Sequence, residues 1–168
     1  MNEELDVIGG AINEEYQHLT FIVKNETFAI AVLEIKEIIE YTSITHVPQM
    51  YSYLSGVTNV RGNVIPVIDL SDRLGLGKTS DDNKVCIIVE TFDDSETLLI
   101  GLIVDAVDQV YPLLPEMRED APSFGTRIRK DFIQSMAKVN DKIITILNLF
   151  TLFDIEELSK NRFTYQIQ

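Results

Sequence analysis

The chain has 168 residues, enough for one domain or for two small subdomains sharing a core. Its formal net charge of −13 weighs against nucleic acid and anionic lipid as partners and leaves a protein partner open. The one cysteine, Cys86, excludes an internal disulfide and suits a reducing compartment.

Residues 1–15 are acidic and polar and read as a loose tail, with no basic start or long apolar run of the kind a signal peptide needs. No stretch approaches the roughly 20 apolar residues required to span a bilayer, so the expectation is a soluble, cytoplasmic protein. Residues 16–24 alternate, with Leu19, Phe21 and Val23 on one side of a strand. Lys24-Asn25-Glu26 turns the chain into a second strand over 27–32. Residues 33–37 fit a helical turn or a bend, 38–41 are extended, and 49–54 fit one or two helical turns after the loop that ends at Val47-Pro48.

The centre of the chain is the stretch 59–74, entered by a short strand over 56–60. Arg61-Gly62-Asn63 reads as a tight turn. Val64, Ile65, Val67 and Ile68 favour a strand, with Pro66 restricting its pairing. Asp69 is placed to cap a short helix from Leu70, whose Leu70 and Leu74 share a face, and Gly75 stops it. Arg61 is thus a lone cation on a turn held between strands.

Residues 75–83 form a polar loop, and 84–91 and 97–104 are buried strands around a turn at 93–96. A shorter strand covers 108–111. Residues 112–125 are mostly loop, with a helical turn near Glu119. Strands over 132–139 and 142–147 flank an Asn140-Asp141 turn. Asn148 then caps a helix from Leu149 to about Lys160, with Leu149, Leu152 and Phe153 facing the core. About ten short strands without long intervening helices point to small antiparallel barrels rather than a doubly wound sheet, with a sandwich left open.

Two order-preserving echoes suggest a duplication. The pattern of residues 63–74 recurs at 142–153, with Asn148 falling on Asp69. The pattern of residues 28–38 recurs at 100–110. The reading is two related units of about 75 residues.

The chain offers no convincing catalytic set. Gly75-Leu-Gly77-Lys78-Thr79 lacks the first glycine of a phosphate loop, since Asp72 holds that position. His18 and His46 have no cysteine or histidine at metal-ligand spacing, and His18 reads as a strand residue facing solvent. Cys86 lies in the apolar run 85–89, where burial silences a thiol. Asp69, Asp72, Asp105 and Asp108 could form a carboxylate pair, but capping and turn roles account for them. Arg127, Arg129 and Lys130 form a local basic spot. Arg61 beside apolar strands suits directional protein recognition or an ordinary solvated turn. Ile35 and Glu37 stand where the apolar pattern breaks, and Gly56 permits close approach of a neighbour; packing and turn geometry would explain them equally. The class this supports is a binding module with no metal and no cofactor.

Over residues 16–158 the sequence resembles the CheW family of bacterial chemotaxis coupling proteins. Gly56-Val57-Thr58-Asn59-Val60-Arg61-Gly62, followed by Val64-Ile65-Pro66-Val67-Ile68-Asp69-Leu70, carries the resemblance, supported by 28–38, 101–107 and 143–149. It implies an all-β fold of two five-stranded SH3-like β-barrel subdomains around a shared hydrophobic core, with short helices and a C-terminal helix. The corresponding divisions are a tail at 1–15 and a CheW-like domain at 16–160. Within it, the first barrel is expected at 16–80, the second at 81–147, and the helix at 149–160 packing on the first barrel. It implies no catalysis and no cofactor. The role would be an adaptor joining the cytoplasmic tip of methyl-accepting chemoreceptors to the regulatory domain of the chemotaxis histidine kinase, in arrays at the inner face of the membrane. Kinase-facing positions would be Ile35, Glu37 and Gly56; receptor-facing positions would be Arg61 and Val85. Ser135, where glycine is usual, and the Asn140-Asp141-Lys142 turn depart from the family pattern. Other readings are an adaptor of a different two-component pathway such as surface motility, a kinase regulatory domain in isolation, or a small β-barrel enzyme.

Overall fold

The computed structural model describes residues 14–40, 44–45, 52–79, 84–93, 96–122 and 127–153. The strands are β1 (Gln17–Val23), β2 (Glu26–Ala31), β3 (Ile35–Glu40), β4 (Leu54–Val60), β5 (Asn63–Asp69), β6 (Val85–Asp93), β7 (Glu96–Val104), β8 (Ala106–Pro112), β9 (Arg118–Glu119), β10 (Ile133–Val139) and β11 (Lys142–Leu147). Helix α1 (Leu70–Arg73) follows β5, and α2 (Leu149–Leu152) follows β11. Three hairpins turn on residue pairs with positive φ: Lys24 and Asn25, Arg61 and Gly62, Asn140 and Asp141. That backbone matches the right-handed twist of the strands it joins. The expected caps are present. The Asp69 carboxylate accepts from Asp72 N, and the Asn148 side chain accepts from Phe150 N. The second helix ends at Leu152, because Phe153 is extended, so the single helix expected from Leu149 to about Lys160 is corrected to one turn; residues 154–160, His46 and most of the 49–54 segment lie outside the described residues.

The chain is mostly β, but neither sheet closes. One sheet has six strands in the order β8-β1-β2-β11-β10-β9, the other five in the order β3-β6-β7-β5-β4. The expectation of two five-stranded SH3-like barrels is therefore corrected to two open sheets. Closure would require the edge strands to pair along their length. Instead, among the described residues, the outer edge of β4 meets only Thr45, in one bridge to Val57, and the outer edge of β10 meets only the two residues of β9. Bulges also interrupt the ladders at Ile35/Glu37 and Leu54/Gly56, and at Leu19/Phe21 and Ile133/Ser135.

The sheets are built by exchange between two equivalent runs of chain. Residue for residue, β4-β5-α1 recurs as β10-β11-α2. Gly56 pairs with Val67 and Val60 with Asn63; at the equivalent places of the second run, Ser135 pairs with Ile146 and Val139 with Lys142. Likewise β2 and β3 recur as β7 and β8. The two parallel seams match as well: Ala29 lies beside Ile146, and its equivalent Gly101 lies beside Val67. Each sheet thus takes the first hairpin of one run, β1-β2 or β6-β7, and inserts it between strands of the other. Ser135 stands in a bulge equivalent to that at Gly56, with its hydroxyl buried and without a hydrogen-bond partner among the described residues.

The inserted hairpins face each other across the main core. Phe21, Phe28 and Ile30 from one pack with Ile87, Val89, Ile100 and Leu102 from the other, and Leu70, Leu74, Leu149 and Leu152 close the ends. Each sheet keeps a smaller apolar cluster on its other face, around Ile144 and Ile146 or around Ile65, Val67 and Cys86. This second layer explains why His18 is buried rather than solvent-facing as its place in the alternation suggested.

Half-buried Arg73 joins the two runs. Its Nε donates to the Leu152 carbonyl at 2.6 Å, while its guanidinium lies 4.6 Å from the Tyr53 ring centroid and 5.0 Å from that of Phe132. Tyr53 and Phe132 are themselves equivalent positions. Tyr53 O accepts from Asp69 N and Phe132 O from Asn148 N. A second polar tie lies at the β7–β8 junction. The Asp105 carboxylate accepts from Lys84 Nζ at 2.6 Å and from Lys24 N at 2.7 Å.

Replacing Arg73 by Met keeps the stem and removes the charge. It is expected to cost about 2 kcal/mol, from one charged hydrogen bond and two cation–π contacts. A lowered urea midpoint with unchanged m-value is the expected result. The second prediction concerns acid. Burial raises the Asp105 pKa, but the Lys84 ammonium and the Lys24 amide outweigh it and hold the carboxyl below its usual value. A depressed folded pKa gives stability that is present above the unfolded value of about 3.9 and lost as pH falls through the folded one. Lys84 is only 7% exposed, so Asp105→Asn also leaves its ammonium without its partner. The variant should be less stable by about 2 kcal/mol at neutral pH, discounted for the partial exposure of the carboxylate. The gap should close below pH about 4 in denaturation series at stepped pH.

Candidate functional site

Arg61 occupies the first position of the β4–β5 turn with φ +52°, followed by Gly62 at +87°. A left-handed arginine costs about 1 kcal/mol or more. The Asn59 side chain holds the turn by accepting from Gly62 N at 2.9 Å. The Arg61 side chain is 82% exposed, and its Nη2 lies 2.9 Å from Glu37 Oε1. Glu37 comes from β3, on the opposite edge of the same sheet, so the ion pair spans the gap between the two edges.

Beneath the pair lies a groove of 220 Å³ whose apolar floor is Ile88, Leu99 and Val60. Its rim carries a second ion pair, Lys36 to Glu90 at 3.1 Å. A neighbouring hollow continues along β5 and β7 past Val64 and Thr97. The arrangement is a shallow apolar trough between two ion pairs, suited to a helix or strand carrying a carboxylate.

The structure brings some of the singled-out residues together. Arg61 and Glu37 touch, though the resemblance assigns them to different partners. Ile35 lies on the same strand, opposite Val89, and leans on the main core. Gly56 is buried at the base of β4. Val85 pairs with Glu40 and Val104 at the far end of β6, and does not line the groove. Glu90, Lys36 and Leu99 were not singled out from the sequence. Glu90 had one signal, a lone charge ending an apolar run.

The remaining candidates form no reactive centre. Burial pushes the Cys86 thiol up to about 12. Burial also lowers the His18 pKa, against the Tyr16 carbonyl and with the help of the Arg118 charge. Asp69 is spent on Asp72 N and on Thr79, whose N donates at 2.9 Å. Among the described residues, no cluster of three or more histidine, cysteine or acidic side chains is placed to hold a metal. Among them too, no helix is long and apolar enough to cross a membrane.

The model of the CheW-like domain matches residues 17–157. A chemotaxis protein CheW from Bacillus subtilis is 30% identical over 138 residues, covering 82% of this chain and 86% of the relative. The chemotaxis protein CheW of Klebsiella aerogenes is 26% identical over 151 residues, covering 90% and 88%. Among solved structures, the scaffolding protein TtCheW from Thermoanaerobacter tengcongensis superposes with a TM-score of 0.75 at 34% identity, covering 83% of this chain and 88% of that one. With the family model spanning both sheets and helices α1 and α2, the chain belongs to the CheW-like domain family.

Proposed function

We propose that the protein is a non-enzymatic adaptor of chemotaxis signalling that couples methyl-accepting chemoreceptors to the chemotaxis histidine kinase. The observation that carries this is the family match over residues 17–157. Within that frame, the receptor tip sits against Arg61 and the apolar trough beside it; Val85, which packs toward the main core at the far end of β6, lies apart from that trough. The regulatory domain of the kinase sits against Ile35, Glu37 and the backbone at Gly56. Working sites are the receptor arrays at the inner face of the membrane.

The Arg61–Glu37 pair supports a physical link between the two faces. In the free adaptor each side chain neutralises the other. A carboxylate on the receptor that takes over Arg61 releases Glu37 toward the kinase, so the two binding events exchange one partner. Simultaneous engagement of both partners then raises their effective concentration and fixes their geometry.

Arg61→Glu should weaken binding of a receptor signalling fragment about tenfold or more, equivalent to about 1.4 kcal/mol, while the thermal midpoint stays within a few degrees. Glu37→Arg should instead weaken binding of the kinase regulatory domain. The double variant restores the ion pair in reverse. It should keep the fold but couple neither partner, as read from receptor-stimulated kinase autophosphorylation. Equal loss of both partners in the Arg61→Glu protein, with unchanged stability, would refute the assignment of faces.

A further inference from the structure

The two inserted hairpins are equivalent but differ in length. Counted from its parallel seam, the first run pairs Phe28 with Phe21, Thr27 with Ile22 and Glu26 with Val23, and then turns at Lys24-Asn25. The second run pairs Ile100 with Val89, Leu99 with Glu90 and Leu98 with Thr91, and does not turn there. Its ladder runs on, pairing Phe92 with Thr97 and Asp93 with Glu96. The main core takes side chains from this hairpin as far as Leu98. Among the described residues, Phe92 packs in none of the three apolar clusters, and it is 64% exposed.

The extension lies at one end of the Arg61 trough. Side chains alternate across β6, so Ile88, Glu90 and Phe92 share the outer face of their sheet, while Ile87 and Val89 face the main core. Ile88 floors the trough beneath Arg61. Glu90 and Leu99 line both the trough and the neighbouring hollow, and Thr97, the cross-strand partner of Phe92, lines that hollow. The apolar strip thus runs from Ile88 past Leu99 to Phe92. The Glu90 carboxylate within it is 24% exposed and tied to Lys36 Nζ at 3.1 Å, so the strip presents a neutralised pair there. From Ile88 to Phe92 is about 13 Å at 3.3 Å per strand residue, the rise of about two and a half helical turns.

We propose that Phe92 is a second anchor for the receptor tip, at the opposite end of the trough from Arg61. The inference rests on the receptor reading of that trough, with which the Phe92 face is continuous. The occupant is an amphipathic helix with an acidic residue for Arg61 and, on the same face roughly seven or eight positions along, an apolar residue for Phe92. An aromatic ring held on a paired ladder buries a large apolar area for little ordering cost.

The test titrates the full chain carrying Phe92→Ala, Phe92→Leu or Arg61→Glu with a soluble chemoreceptor signalling fragment and, separately, with the kinase regulatory domain. Phe92→Ala should weaken binding of the receptor fragment about tenfold, and Phe92→Leu should recover most of the loss. Kinase-domain affinity and the thermal midpoint should match the parent in both. A fragment whose facing apolar residue is replaced by alanine should bind the parent less tightly but lose little more against Phe92→Ala. Parent-like receptor binding by Phe92→Ala, with Arg61→Glu impaired, would overturn the anchor and leave the receptor face standing. Parent-like binding by both variants would overturn the receptor face and the anchor with it. Loss of kinase-domain binding instead, or self-association of the parent that Phe92→Ala abolishes in sedimentation, would assign Phe92 to another partner and overturn the proposal as well.

Discussion

Arg73 is the point on which both runs of chain converge. Its guanidinium lies between Tyr53 and Phe132, which are equivalent residues of the two runs, and it donates to Leu152, which is its own equivalent. Only one arginine fits at such a meeting point, because a second would bring two cations together on the same pair of rings. The duplication is therefore obliged to break its symmetry there, and does so with Arg73 on one side and a leucine carbonyl on the other. Around this contact the core leucines of α1 and α2 pack without a polar seam.

Exchange of hairpins gives the adaptor its stiffness. Neither sheet can form from one run alone, since β1-β2 is seated between β8 and β11, and β6-β7 between β3 and β5. Opening the molecule between its runs would unpair both parallel seams and expose the facing sides of the hairpins at once. A hinge between the runs is thereby excluded by the cost of the surface it would uncover. A body of this kind transmits position rather than flexing, which is what joining two large partners requires.

What was legible in the sequence was local. The turns at Lys24-Asn25, Arg61-Gly62 and Asn140-Asp141, and the caps at Asp69 and Asn148, are set by residues within a few positions of each other. The two echoes, 63–74 in 142–153 and 28–38 in 100–110, were legible too, and the strand register carries them in full. What failed was non-local. Barrel closure depends on whether β3 meets β4 and β8 meets β10, and nothing in the sequence of an edge strand states which neighbour it lacks. His18 was misplaced because alternation reports two faces of a strand but not whether the second is covered. The Arg61–Glu37 pair joins residues far apart along the chain and was invisible for the same reason, so two residues expected to serve separate partners emerged in contact.

The duplication also separates what the fold needs from what the surface adds. The turn at Asn140-Asp141 repeats the backbone of Arg61-Gly62, and Gln109 on β8 stands where Glu37 stands on β3. At those two positions the second run has neutral amides, Asn140 and Gln109, and Gln109 turns to Tyr111, while beside them Lys142 of the hairpin lies 3.6 Å from Asp108 on β8. An ion pair between hairpin and edge strand therefore appears in both runs, and what differs is where its cation stands: Lys142 begins a strand, whereas Arg61 is 82% exposed and bears the strain of a left-handed backbone at the tip of its turn.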